Sequence, residues 1–206
     1  MSAPPEQQTA PKLSDELERW LGSDGERTIG TLVDTFGDKS FALLFVLLLG
    51  VPALPLPTGG ATHVFEIIAG LLALQLIVGR TQVWLPDRWC KLELAGPRQQ
   101  KFIGGLMKLI RRLERFSRPR FAFLLRHRLT RPAFGLLVLA GTAGAFFAPP
   151  FTGLDTLPSL GVVLLALGYL LGDALIAIVG VAVGSGGVVL EIVLGAAAIN
   201  GLRTVF

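Results

Sequence analysis

Apolar positions along the chain fall first in stripes and then in solid blocks. Leu13, Leu17, Trp20 and Leu21 recur at helical spacing, with Ser14 placed to cap that helix ahead of Asp15 and Glu16. Beyond a turn at Gly22–Gly25, the residues Ile29, Leu32, Val33 and Phe36 make a second stripe. From Phe41 the text turns continuously apolar: as far as Gly79 its ionisable groups are His63 and Glu66. A second block, Phe134 to Asn200, holds Asp155, Asp173 and Glu191 and no base. Water-soluble folds rarely need such runs, whereas a bilayer does. Between the blocks, Phe102, Ile103, Leu106, Leu109, Ile110, Leu113 and Phe116 share one helical face, with Lys101, Lys108, Arg111, Arg112 and Arg115 largely on the other. Two readings of that helix stand side by side: it lies in the membrane surface, or it caps the membrane domain as a soluble helix.

Each apolar block is interrupted. Pro52, Pro55 and Pro57, followed by Gly60, cannot continue a regular helix, because proline removes a donor and clashes with the preceding turn. Pro149, Pro150 and Gly153 break the second block in the same way. The arm from Phe41 to Pro52 is about 18 Å long at 1.5 Å per residue, against a bilayer core of about 30 Å. The arms therefore either cross as a tight hairpin or dip in and return as a re-entrant loop, which needs protein or water around its exposed backbone. In both cases Lys39 and Arg80 lie on one side.

Sliding the chain along itself by 93 residues aligns Phe41 with Phe134, Pro57 with Pro150, Gly60 with Gly153, Leu71–Leu74 with Leu164–Leu167, and Gly79 with Gly172. The proline and glycine matches carry the most weight, because those residues constrain the backbone. The predicted architecture is an all-α polytopic membrane protein with two repeated units. Each unit is an amphipathic helix plus a Pro/Gly-broken apolar hairpin, and a basic cytoplasmic amphipathic linker joins them. Residues 1–12 read as a disordered lead-in. The first unit spans 13–93 with its hairpin at 41–79. The second spans 94–206, with the basic helix at 100–117, a hairpin at 134–172 and a terminal membrane segment at 174–200. Within that segment Gly180 and Gly184 match a close-packing helix motif, read as helix contact inside the monomer; a break at Ser185–Gly187 is the alternative.

Composition agrees: 51% of residues are hydrophobic and only 17% charged, where soluble domains average about 25%. The single cysteine excludes an internal disulfide framework and a cysteine-cluster metal site. Residues 1–40 carry four bases and eight acids, whereas residues 81–133 carry thirteen bases and three acids. A short basic loop between membrane segments reads as cytoplasmic, which puts the N-terminus there too. No basic stretch followed by an apolar core marks a cleaved signal peptide at the N-terminus. Basic residues beside membrane segments point to anionic lipid headgroups rather than nucleic acid.

Several strings in order resemble the bacterial exopolysaccharide synthesis protein ExoD family. They are Gly25-Glu-Arg-Thr-Ile-Gly-Thr-Leu with Phe36-Gly-Asp-Lys-Ser-Phe41, the Pro52–Gly60 breaker, Ala73-Leu-Gln-Leu-Ile-Val-Gly-Arg80 with Trp84-Leu-Pro86, Leu113-Glu-Arg-Phe-Ser-Arg-Pro-Arg120, the Pro149–Gly153 breaker, and Leu167 to Asp173. The sequence departs from the family pattern after Pro150, where Phe-Thr-Gly-Leu stands, and near Gly172-Asp173, where a mixed acidic–basic cluster is usual. The resemblance implies an inner-membrane protein linked to exopolysaccharide production; it fixes no chemistry.

Candidate chemistry divides by sign. Arg111, Arg112, Arg115, Arg118 and Arg120, with Arg80 and Arg27, make an anion- or phosphate-binding set, since the planar guanidinium fork suits phosphate; the competing reading is topology plus headgroup contact. Glu66, Asp155, Asp173 and Glu191 lie in or beside apolar stretches, where ionisable groups are costly and default to function, with Arg80 or Arg203 as counter-ions. No P-loop, His-Glu-x-x-His or Gly-x-Ser-x-Gly string is present, and catalysis, metal and cofactor are not expected. The leading function is binding or transport of a phosphorylated lipid carrier or related anionic precursor. The alternative is a non-transporting assembly or regulatory factor that binds a nucleotide-like metabolite or synthesis enzymes. Membrane lipids are expected partners and a homodimer is plausible on the Gly-rich faces.

Overall fold

A computed structural model describes residues 12–23, 25–54, 62–93, 97–117, 130–149 and 152–205. The expected lead-in at 1–11 and the positions Pro55, Pro57, Gly60, Arg118, Arg120 and Pro150 lie outside the described residues. Among those described, every multi-residue regular element is helical. They run α1 (Leu13–Gly22), α2 (Ile29–Phe36), α3 (Ser40–Leu49), α4 (His63–Ile77), α5 (Asp87–Cys90), α6 (Pro97–Phe116), α7 (Thr130–Phe147), α8 (Thr156–Leu171) and α9 (Ala174–Val205).

The first stripe forms α1, but Ser14 does not cap it. Lys12 precedes the helix, and Ser14, inside its first turn, donates its hydroxyl to Glu114 on α6 while its N–H bonds the same carboxylate at 2.9 Å. A tertiary partner thus displaced the local cap. Thr28 does cap α2, accepting the Thr31 N–H at 3.2 Å. The apolar face of α6 turns inward: Ile103, Met107 and Ile110 are buried. Ile103, Leu106 and Met107 meet Leu17, Trp20, Leu32, Leu43 and Leu47 of α1, α2 and α3. Most of the stripe that fitted a membrane surface equally well is therefore covered by protein, while Phe116 at its end is exposed.

At the centre stands α3. Phe41 through Val46 and Leu49 are all buried, because α4, α8, α6 and the α1–α2 pair enclose the helix on its different sides. The Phe45 ring meets Phe134 of α7 edge-on at 5.8 Å, and Phe134 in turn stacks on Tyr169 of α8 at 4.6 Å.

Two antiparallel seams set the register of the rest. Along the first, α7 runs beside α4: a Cβ on Gly135 would lie 3.0 Å from Ala73 O, Gly70 faces Leu139, and the Phe146 ring lies 5.2 Å from His63. Along the second, α8 and α9 touch backbone to backbone. A Cβ on Gly161 would collide with Gly184 and come within 2.8 Å of Gly180 O, and one on Gly187 would lie 2.6 Å from Pro158 Cδ. Gly180 and Gly184 therefore serve packing inside the chain, and α9 continues through Ser185–Gly187 without a break. Its start is capped by Asp173, whose Oδ1 accepts the Leu175 N–H at 3.0 Å. Gly79 and Gly172, which follow α4 and α8, both hold positive φ, at 87° and 67°. Side chains other than glycine rarely adopt that region.

By length and composition, α7 and the Ala174–Ala197 part of α9 are long and apolar enough to cross a membrane. α4 and α8 are shorter, about 22–24 Å at 1.5 Å per residue. The outer face of α4 is apolar and open, with Val64, Ile67, Leu71, Leu74 and Val78 exposed at helical spacing, opposite buried Glu66, Ala69, Leu72, Ala73 and Leu76. On α7, Leu136, Leu137 and Phe147 are exposed, and on α9 so are Leu175, Ile178, Val189 and Val193.

Candidate functional site

The two ends of the hairpins carry opposite chemistry. Register places them unambiguously: His63 meets Phe146, Pro158 meets Gly187, and Gly135 meets the last turn of α4. One end thus gathers the N-termini of α4 and α8, the C-terminus of α7 and the Glu191 region of α9. The opposite end holds Asp38, Lys39, Gly79, Arg80, Arg131 and Asp173.

At the first end, Glu66 sits one turn into α4 with 1% exposure. Its Oε2 lies 2.7 Å from His63 Nδ1, within hydrogen-bond distance, with the donor set by the imidazole tautomer. Helical spacing makes this pair: residues three apart share a face. Asp155, at the N-cap of α8, lies within electrostatic reach of His63, Glu66 and Glu191. Burial holds the Asp155 carboxyl above the ordinary aspartate range, opposed by its own backbone hydrogen bond and by His63. The structure therefore brings together three of the four acids singled out from sequence. Asp173 stands apart as the α9 cap at the other end. The expected counter-ions do not serve Glu66: Arg80 follows the far end of α4, and the partner is His63. The side chain of Arg203 lies outside the described residues.

The basic end is built differently. Arg111, Arg112 and Arg115 project from the exposed side of α6, opposite the face that packs inward. Arg111 pairs with Glu18 of α1, and Arg131 pairs with Asp38 at 2.9 Å. Lys39 bonds Glu16 at 2.7 Å. Arg80 is exposed after α4 and Arg27 is partly exposed before α2. Glu16, Arg19, Trp20, Ser23, Thr35, Phe36 and Lys39 line an open cleft of about 550 Å³ between α1 and α2. The loop after α4 is held by Gln75, whose amide accepts the Trp84 N–H at 2.8 Å and donates to its carbonyl at 3.0 Å.

Sequence reading missed three participants. Phe146 covers the His63 ring, and Ser159 buries its hydroxyl in the first turn of α8. The third is the Glu16–Lys39 pair in the α1–α2 cleft. A signal existed for Ser159, since it stands 93 residues after Glu66.

The family model described as exopolysaccharide synthesis, ExoD, matches residues 13–193. The chain belongs to the ExoD family. Protein ExoD of Rhizobium meliloti is 32% identical over 169 residues, covering 79% of this chain and 69% of that protein. An uncharacterized protein of Synechocystis sp. is 27% identical over 168 residues, covering 80% of this chain and 78% of its own length. No solved structure matches the chain. ExoD membership implies a part in exopolysaccharide synthesis and leaves open what that part is chemically.

Proposed function

We propose that this ExoD-family chain is embedded in the bacterial inner membrane and supports exopolysaccharide synthesis by binding or moving a phosphorylated lipid carrier or a related anionic precursor. The observation that carries this reading is the open apolar stripe on α4, from Val64 to Val78, continued on α7 and α9. Contiguous apolar surface on that scale marks a lipid or partner interface, and α7 and α9 have the length to cross. One end of this surface carries Arg80, Arg111, Arg112, Arg115 and Arg131; by the positive-inside rule that end, with α1, α2 and α6, faces the cytoplasm. A lipid phosphate at that level would find guanidinium groups beside its headgroup and apolar helix beside its chain.

The 93-residue spacing of like features supports reading the hairpins as repeats, a carrier-like design. α4 and α8 begin 93 residues apart, as do the positive-φ glycines that follow them, and Asp38 pairs with the residue 93 positions on, Arg131. The test is the melting temperature of purified protein with polyprenyl phosphates, repeated with Arg112 and Arg115 changed to Gln. Ligand that binds only the folded state raises it by mass action. Reconstituted protein that neither binds nor moves such lipids ends this reading. A second reading, a non-transporting assembly or regulatory factor, draws on the α1–α2 cleft, where Arg19 and Lys39 stand beside Trp20. Stabilisation by nucleotides alone would select it.

A further inference from the structure

The acidic end of the hairpins has no part in lipid-phosphate binding, yet it contains the least satisfied polar atoms described. Among the described residues, the buried side-chain oxygens and nitrogens without a hydrogen-bond partner are Glu66 Oε1, Ser159 Oγ and Glu191 Oε1. All three fall at this one end. Ser159 lies one turn along α8 from Asp155 and is fully enclosed. Buried polar groups are nearly always paired, and each exception calls for a cause.

The charges explain what is missing. Glu66 and His63 come from α4, Asp155 from the start of α8, and Glu191 from α9. α3 contributes no titratable group, and the only one on α7, Arg131, lies about 22 Å away along its helix from Phe146. Among the described side chains, no lysine or arginine faces the group from any of these packed elements. With all three carboxylates ionised, a protonated His63 leaves a net charge of −2 in apolar surroundings. Such charge is strongly disfavoured without a compensating cation. No group of three or more His, Cys, Asp or Glu side chains among the described residues is arranged to hold a metal ion. A proton needs no such coordination shell.

We propose that His63, Glu66, Asp155 and Glu191 form a proton-binding site at the breaker end of the two hairpins, with the exchangeable proton held between Glu66 Oε2 and His63 Nδ1. Uptake adds one proton to a Glu66 carboxylate facing a neutral imidazole. It rests on Nδ1, giving an imidazolium–carboxylate pair, or on Oε2, giving a neutral acid facing a neutral ring. Both forms keep the 2.7 Å contact, and loss of the proton leaves a neutral ring, whose Nδ1–H tautomer still donates, facing a carboxylate that now carries an uncompensated negative charge. Exchange with bulk runs through the imidazole, 29% exposed where Glu66 is enclosed. This site is independent of the basic end, so the lipid reading and the proton reading can fail separately.

The experiment is an infrared pH titration of the full chain in lipid nanodiscs, following the carboxylic-acid carbonyl band, with melting temperature read in parallel. The expected result is a component of the pH-dependent band that Glu66→Gln removes, together with a flattened profile of melting temperature against pH. A band and a melting profile that are both superimposable between Glu66→Gln and the parent overturn the proposal. Should Glu66→Gln fail to fold, Asp155→Asn serves: removing a neighbouring negative charge must move the titration midpoint to lower pH, by about 1 unit. An unmoved midpoint overturns the proposal. So does a rise in melting temperature with sodium at fixed pH that depends on Glu66, because the occupant is then a metal cation.

Discussion

α3 and α9 are written in the same alphabet and live in opposite surroundings. Ser-Phe-Ala-Leu-Leu-Phe-Val-Leu-Leu-Leu on α3 is apolar on every side and is walled by other helices on every side. α9 is also largely apolar, but it meets protein along the glycine seam with α8 and at Gly144 of α7, while Leu175, Ile178, Val189 and Val193 are open. Avoidance of water is common to both. What replaces the water differs: side chains of the same chain for α3 and, on the reading proposed here, lipid for α9. An apolar run is therefore no measure of contact with a bilayer, and the shortest one here is the core.

The sharpest way to break this comparison is at the seam. A Cβ on Gly180 would come within 2.7 Å of Gly161 O, so Gly180→Leu forces α9 off α8. The expected outcome is loss of monodisperse folded protein on size exclusion, a cost of at least about 3 kcal/mol. Next comes the enclosed helix: Phe45→Ala empties a site fully surrounded by protein and should cost about 3–5 kcal/mol in denaturant unfolding. The open flank separates lipid from water. Val189→Lys, at a position 58% exposed, should impair membrane insertion by about 2–3 kcal/mol if that flank meets acyl chains. It should change stability by no more than about 0.5 kcal/mol if the flank is wet.

Smaller effects test the charged ends. Because the folded chain holds the Asp155 carboxyl above its ordinary range, the folded state binds that proton more tightly than the unfolded one. Stability from this group is accordingly full at low pH and is lost as pH rises from the ordinary aspartate value through the raised one. Asp155→Asn removes the loss: its melting temperature should match the parent near about pH 3 and exceed it near about pH 8. A constant difference across that window would deny the shift. Smallest of all, Arg131→Gln removes an exposed pair with Asp38 and should cost about 0.2–1 kcal/mol, less in high salt.

Much of the fold was legible because helical periodicity and breakers are local properties. The stripes at Leu13–Leu21 and Ile29–Phe36, the basic amphipathic helix, both apolar hairpins and the terminal segment all correspond to helices. Ser14 shows where local reading stops: its sequence context is that of a cap, and Glu114, one hundred residues away, takes its hydroxyl. The acids show the same limit. Glu66, Asp155, Asp173 and Glu191 all stood out as polar residues in or beside apolar text, yet three converge and the fourth caps a helix.

By itself the sequence determined that the chain is helical, which stretches shun water, where helices break, and which family it belongs to. The three-residue spacing of His63 and Glu66 also held their pairing, which the sequence reading passed over in favour of Arg80 or Arg203. The tertiary structure decided which apolar face is covered and which is open, and it joined His63–Glu66 to Asp155 and Glu191. The reason is physical: hydropathy records only preference against water, which lipid and protein interior satisfy alike. Contacts between distant helices are set by how closely their backbones can approach. Here Gly135, Gly161, Gly180 and Gly187 fix that register, and the acidic cluster follows from it.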